Sequence, residues 1–231
     1  MSSKLVCPAN NEYSLSSNSS DEKFDIQLVY DSFAKCCENI DALNMDHYLT
    51  GFKELYRFFS LLGSVFGFVA SDIISKVNIL EEYQRSENAH EYSTVQSMVE
   101  YESSSGITTD TSQPSGSRTL LRLHRSLEFV MSFMRDISTA EADSKTSTIA
   151  QKCYKETLSK HHPWLIQKGA YFAMYTLPAR QQFIERVSGG PCDSCTVQHY
   201  EKVMGDIGEV LRKVYEETHK LYEANNLLDL P

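Results

Sequence analysis

The sequence predicts an all-α protein built as one domain. Three observations carry this reading. Apolar residues recur at three- and four-residue steps through segment after segment. Only 10 Gly and 6 Pro punctuate 231 residues, too few for an all-β chain full of tight turns. No series of alternating apolar and polar runs reads as strands, and no internal repeat is present. With 41% hydrophobic and 23% charged residues the composition is globular, and the length can bury a sizeable core.

The elements follow in order. Residues 1–21 form a polar, Ser/Asn-rich tail with neither an apolar signal core nor Arg-rich transit character. Disorder is expected there, and a soluble cytosolic protein is the default. The folded domain is expected over 22–231. Residues 24–39 carry a helical stripe at Phe24, Ile26, Leu28, Val29 and Phe33. Residues 46–70 repeat it through Leu49, Phe52, Leu55, Phe59, Leu62 and Phe66. Ser71 reads as a break or cap before a helix over 72–85. A further helix fits 92–102, and 103–117 is a flexible Ser/Thr/Gly loop. Helices then fit 118–136, 145–160, 163–175, 179–187 and 197–224. Pro163 and Pro178 suit first-turn positions, where a missing N–H costs nothing. Gly189-Gly190-Pro191 ends the next-to-last helix.

One run, FFSLLGSVFGFVAS between Arg57 and Asp72, is uncharged. Its 14 residues fall short of the roughly 20 that a spanning helix needs, so it reads as buried helix. The formal charge is −9, from 22 Lys plus Arg against 31 Asp plus Glu. No block of basic residues offsets it, which argues against nucleic acid as a partner. An anionic ligand would need a local basic cluster. Six scattered cysteines read as reduced thiols.

Four constellations could carry chemistry. Asp72 and Lys76 stand four apart, on one helical face, directly after the most apolar stretch. They are either a surface ion pair or the polar mouth of an apolar pocket. Arg118 and Arg122 share a face, and Arg125 continues the row. Stacked guanidinium groups repel, so they ask for a phosphate or for Asp and Glu partners. His161-His162-Pro163-Trp164 places the only tryptophan at a helix start, as core or as an interfacial membrane anchor. Cys192-Asp193-Ser194-Cys195 has no second pair to complete a zinc site and no βαβ unit for a redox motif. No phosphate-cradling Gly loop, HExxH or GxSxG motif is present, so no metal or cofactor is expected.

Taken together, FVASDIISK ending at Lys76, SRTLLRLHRSL from Ser117, KHHPW ending at Trp164, YTLPAR ending at Arg180 and the terminal LYEANNLLDLP resemble the glycolipid transfer protein superfamily. The resemblance runs from about Phe24 to Pro231. It implies a two-layer, all-helical sandwich with an apolar lipid-chain pocket between the layers. Asp72 matches the aspartate that accepts from a sphingolipid amide N–H, and His162 the histidine that donates to the amide carbonyl. Lys76, Arg118 and Arg122 match the cations that hold a phosphate in one branch. The sugar-carrying branch has asparagine at the Lys76 position and tryptophan at the Arg122 position. Both departures replace sugar-reading groups with cations, so the resemblance implies a phosphorylated sphingolipid such as ceramide-1-phosphate.

The implied function is non-enzymatic carriage between membranes by a monomer, with peripheral and reversible membrane contact. Exposing a chain of about sixteen carbons costs on the order of 12 kcal/mol, so unaided diffusion is slow. Candidate pocket residues are Phe58, Leu62, Phe66, Val69, Ile73, Leu121, Phe129 and Phe133. Trp164, Leu165 and Ile166 are the candidate membrane contacts. The alternative is a sensor or adaptor that binds the same lipid and signals through a partner. An enzyme using His162 and Asp72 as an acid–base pair lacks a nucleophile motif and an oxyanion feature.

Overall fold

A computed structural model describes residues 23–110 and 112–230. The tail expected at 1–21 lies outside the described residues. Nine α-helices follow one another among those described: α1 (Ile26–Cys36), α2 (Met45–Leu61), α3 (Gly67–Gln84), α4 (Val95–Ser104), α5 (Gly116–Ser138), α6 (Thr146–Glu156), α7 (Trp164–Tyr175), α8 (Arg180–Ser188) and α9 (Ser194–Ala224). Short 3-10 turns occupy Ser64–Phe66, Ala89–Tyr92 and Leu158–His161. The described residues contain no strand, only the isolated bridges Asn44–Thr94 and Lys145–Ala179.

Side-chain caps explain where most helices begin. The Asp25 carboxylate accepts from the N–H groups of Gln27 and Leu28, and Asn44 accepts from His47. Thr94 and Ser97 form a reciprocal capping box, Ser115 caps α5 and Asp193 caps α9. Each satisfies N–H groups that a helix start leaves without a partner. Gly189, at φ 87°, closes α8 in the left-handed conformation that glycine adopts without strain.

Several boundaries differ from those the periodicity predicts. The long apolar stretch breaks at 62–66, not at Ser71, which lies within α3. Gly63 makes the break, with φ 113° and ψ 169°, a region essentially closed to other residues. The helix expected over 145–160 stops at Glu156, where Thr157 leaves helical geometry at φ −118° and ψ −85°. Helix α9 starts at Ser194 rather than 197 because Asp193 provides its cap. Pro163 is the N-cap residue of α7, and Pro178 precedes Ala179, the N-cap of α8.

The helices form two layers. Helices α1, α2 and α3 pack side by side, and α5 packs along α9 with α6 on its flank. Contacts of α1 with α9 and of α3 with α5 close the sandwich at both edges. Aromatic rings tie the layers together. Phe183 of α8 meets Phe58 of α2 edge-on at 6.1 Å and Phe133 of α5 edge-on at 5.6 Å. Burying each such ring contributes about 1.5–3 kcal/mol. Arg180 is buried between helices: its Nε donates to the Ile137 carbonyl at 2.8 Å and its Nη2 pairs with Glu201 at 2.8 Å. The YTLPAR motif thus ends in an arginine that ties α8 to α5 and α9.

The connection before α5 is anchored by one carboxylate. Glu102 accepts from the N–H groups of Gly116 at 2.7 Å and Ser117 at 2.8 Å, and from the Tyr92 hydroxyl at 3.0 Å. A buried negative charge at a helix N-terminus is favoured by the helix dipole. This fixes the start of α5, and with it the register of its arginines.

Candidate functional site

Helix α3 presents Val69, Asp72, Ile73 and Lys76 on one face, as their three- and four-residue steps require. Across from it, α5 presents Arg122, Arg125, Ser126 and Phe129. Tyr154 of α6, the turn at Leu158–His161, His162 and the inner face of α7 complete the wall. Together they line a cavity of about 520 Å³. Its floor is apolar, with Phe59, Phe66, Phe129 and Val130, and its mouth is polar.

At the mouth the Lys76 ammonium donates to the Asp72 carboxylate. The Lys76 side chain is 11% exposed and that of Asp72 68% exposed. The cation is therefore drawn in towards the cavity while the carboxylate stands at the rim. His162 pairs its Nδ1 with the Tyr154 hydroxyl at 2.8 Å. Its backbone is fixed too, since the His162 carbonyl accepts from Gln167 Nε2 at 2.9 Å. Burial lowers the His162 pKa against the pull of Asp72, and Lys76 lowers it further. The ring is accordingly neutral at pH 7. When Tyr154 donates to Nδ1, the imidazole proton sits on Nε2, which then serves as donor. His161 also lines the cavity, and desolvation, helped by Arg125 and Lys160, holds its pKa down at about 4.

Nine of the residues expected in the site meet at this cavity: Phe66, Val69, Asp72, Ile73, Lys76, Arg122, Phe129, His162 and Ile166. Arg118 does not. Its guanidinium donates to the carbonyls of Asp110 and Gln113 in the connection before α5, and the residue is buried there. Nor do Phe58, Leu62, Leu121 and Phe133 line the cavity, because all four are spent on core packing. Phe133 stacks under Phe129 at 5.9 Å, one layer below the cavity, and Phe58 packs on Phe59 and Phe183. Trp164 and Leu165 lie outside the cavity, 69% and 72% exposed at the start of α7.

Tyr154 and Phe68 belong to the lining although no motif singled them out as ligands, and Arg125 lines it with them. Arg125 was visible as the third member of the arginine row. Nothing in the sequence points from Tyr154 to His162, because the chain changes direction between them at Thr157.

The sequence pattern of the glycolipid transfer protein (GLTP) family matches residues 43–189. The chain belongs to the glycolipid transfer protein family. Every cavity-lining residue falls within that match. Similarity to individual relatives extends further, into α1 and α9. Over 219 residues the chain is 38% identical to the ceramide-1-phosphate transfer protein of Xenopus tropicalis, covering 93% of this chain and 100% of that one. The Homo sapiens protein of the same name is 31% identical over 216 residues, covering 92% and 99%. The crystal structure of mouse ceramide-1-phosphate transfer protein in its apo form superimposes with a TM-score of 0.83 at 34% identity, covering 90% of this chain and 100% of that chain. The human protein in complex with 12:0 ceramide-1-phosphate gives 0.80 at 31% identity, with 90% and 100% covered. Apo ACD11 of Arabidopsis, at 20% identity and a TM-score of 0.71, covers 86% and 97% and shares the fold. The all-helical sandwich of this family is thus the fold of this chain.

Proposed function

We propose that this family member binds a phosphorylated sphingolipid, ceramide-1-phosphate, and carries it between membranes without making or breaking a bond. One observation carries the reading: Lys76 and Arg122 stand at the polar mouth of an apolar cavity, beside the acceptor Asp72 and the donor His162. Cations at those two places suit a phosphate dianion, which takes charge-assisted hydrogen bonds roughly twice as strong as neutral ones. Asp72, acceptor-only as a carboxylate, would take the lipid amide N–H, and Nε2–H of His162 would reach the amide carbonyl. Arg118 stands one turn before Arg122 and would join the phosphate by giving up a carbonyl of the preceding connection. The relatives named for this lipid, at 31–38% identity, support the same choice.

The chains would enter below the headgroup, where Phe66, Val69, Ile73 and Phe129 replace the bilayer as apolar surroundings. Docking would use Trp164 and Leu165 at the exposed start of α7, with Ile166 joining them to the cavity wall. Lys168 lies over the Trp164 ring at 5.6 Å, which places a cation at headgroup depth. No helix among the described residues is long and apolar enough to cross a membrane, so contact would be peripheral. The net charge of −9 resists tight adhesion to anionic surfaces and favours release. A monomer acting in the cytoplasm fits this scheme.

The test is equilibrium binding to vesicles containing ceramide-1-phosphate or galactosylceramide. Preference for the phosphate lipid, lost in Arg122→Ala, is the expected result. Equal affinity for both lipids would contradict it.

A further inference from the structure

The seam between the first half of α5 and the last turns of α9 gathers buried polar atoms that folding leaves unsatisfied. On α5, Ser117, Leu120 and His124 follow one face at three- and four-residue steps. On α9, Tyr215, Thr218, His219 and Tyr222 do the same. Their rings form one pile. His124 lies 4.3 Å from Tyr215 with planes 10° apart, 5.7 Å from His219 and 6.1 Å from Tyr222. The Tyr222 hydroxyl crosses the seam and donates to the Ser117 carbonyl at 2.9 Å. Both ring nitrogens of His124, Nδ1 of His219, Oγ1 of Thr218 and Oγ of Ser117 are buried and find no hydrogen-bond partner among the described residues. Each exchanged its bonds to water for none in the fold. Burial, then His219 on α9, Arg125 on α5 and His161 in the turn before α7 disfavour a proton on His124 and hold its pKa down at about 3. Glu128 of α5 stands near Tyr215, and Glu102 of α4 and Tyr48 of α2 stand near Tyr222.

We infer that the seam around His124 is an acid-sensitive latch: when His124 takes a proton, the last turns of α9 separate from α5, and the wall that α5 gives the lipid cavity is freed to move. Stacking on Tyr215 offers an imidazolium a ring face. The charged ring, however, carries two N–H donors, and the closed seam supplies an acceptor to neither. Opening lets water take both. The movement reaches the cavity through one rigid helix, because α5 also carries Arg122 and Phe129 into its lining. Hydrated, His124 has its ordinary pKa of 6.5, so the closed seam is fully favoured above that pH and loses its advantage as the pH falls towards 3. Between pH 7 and 5 the ratio of open to closed should rise roughly twentyfold. The link to the cavity rests on the carrier reading given above, and the latch does not.

The test is amide hydrogen exchange on the full chain at pH 7 and pH 5, corrected for the intrinsic exchange rate. Protection over residues 215–224 should fall roughly twentyfold while protection in α2 holds. His124→Phe keeps a stacking ring and His124→Gln keeps a polar side chain, and neither titrates, so each should abolish the fall. Capture of ceramide-1-phosphate from phosphatidylcholine vesicles supplies the second readout. The ratio of its rates, pH 5 over pH 7, should be several-fold larger in the wild type than in His124→Phe, a comparison that cancels titration of the lipid phosphate. Protection lost from α2 and α9 together overturns the latch, because the whole fold is then opening. A fall that is absent from the wild type, or that persists in both His124 variants, overturns it too. A local, His124-dependent opening with equal capture ratios overturns the link to the cavity. A wild type that captures no ceramide-1-phosphate at either pH overturns the carrier reading and that link with it, while the exchange result still decides the latch.

Discussion

In the proposed reading, headgroup choice turns on Lys76 and Arg122, which both line the cavity. They face the same cavity from different helices, so a ligand touching both must fit the gap between α3 and α5. Placing asparagine at Lys76 and tryptophan at Arg122 removes both charges and supplies an amide and a ring face. The double variant should lose at least tenfold in preference for ceramide-1-phosphate over galactosylceramide, as competition binding would show. The two positions were legible in different ways. The four-residue step from Asp72 to Lys76 dictates a shared face, and the structure has that pair. Arg118 was expected to act with Arg122 on the same argument, but spacing specifies a face and not a hydrogen-bond partner. The carbonyls of Asp110 and Gln113, eight and five residues earlier, engage its guanidinium.

At the scale of elements, α5 is the helix that aims the arginines, and two buried polar groups hold it. Glu102 closes its N-terminus with two backbone N–H groups. Glu102→Gln removes the charge and turns an amide donor towards those donors. A loss of about 2–4 kcal/mol is expected in chemical denaturation, with weaker lipid binding as α5 shifts. His124, on the far face of α5, stacks on Tyr215 of α9 at 4.3 Å with rings 10° apart. Burial lowers its pKa from 6.5 to about 3. A depressed imidazole stabilises the fold fully above its unfolded pKa of 6.5, and the contribution is lost as pH falls towards 3. At pH 5 the loss is about 2 kcal/mol. His124→Phe should flatten the fall in melting temperature between pH 7 and 5. Periodicity located these helices well because each has one buried face. It missed the break at 62–66, since Gly63 interrupts the backbone without interrupting the apolar run around it. Glu102 could not be read as a cap either, because its partners lie fourteen and fifteen residues ahead.

For the whole molecule, the exposed apolar residues at the start of α7 and on α3 lie beside the cavity. Trp164 and Leu165 project from the helix whose inner face walls the cavity, and Phe68 is exposed beside the mouth from α3. Replacing Trp164 and Leu165 with serine should reduce vesicle association and transfer about tenfold or more, with stability unchanged. Binding of detergent-solubilised lipid should persist, which separates docking from headgroup recognition. A single tryptophan could be core or anchor on sequence alone, and its exposure is a property of the assembled layers. The sandwich itself is likewise invisible to helical periodicity, which says that each helix buries a face but not against which partner. Family resemblance supplied the layers, while the filled core around Phe58 and Phe133 came from packing that no motif encodes. In the proposed function, a cationic mouth over an apolar cavity is what makes this protein a carrier of a phosphorylated sphingolipid. Vesicle-to-vesicle transfer of labelled ceramide-1-phosphate against labelled galactosylceramide, in wild type and Arg122→Ala, tests it most directly. Fast transfer of the phosphate lipid by the wild type, lost in the variant, is the expected result. Transfer of the sugar lipid alone, or no transfer of either lipid despite tight binding, would contradict it.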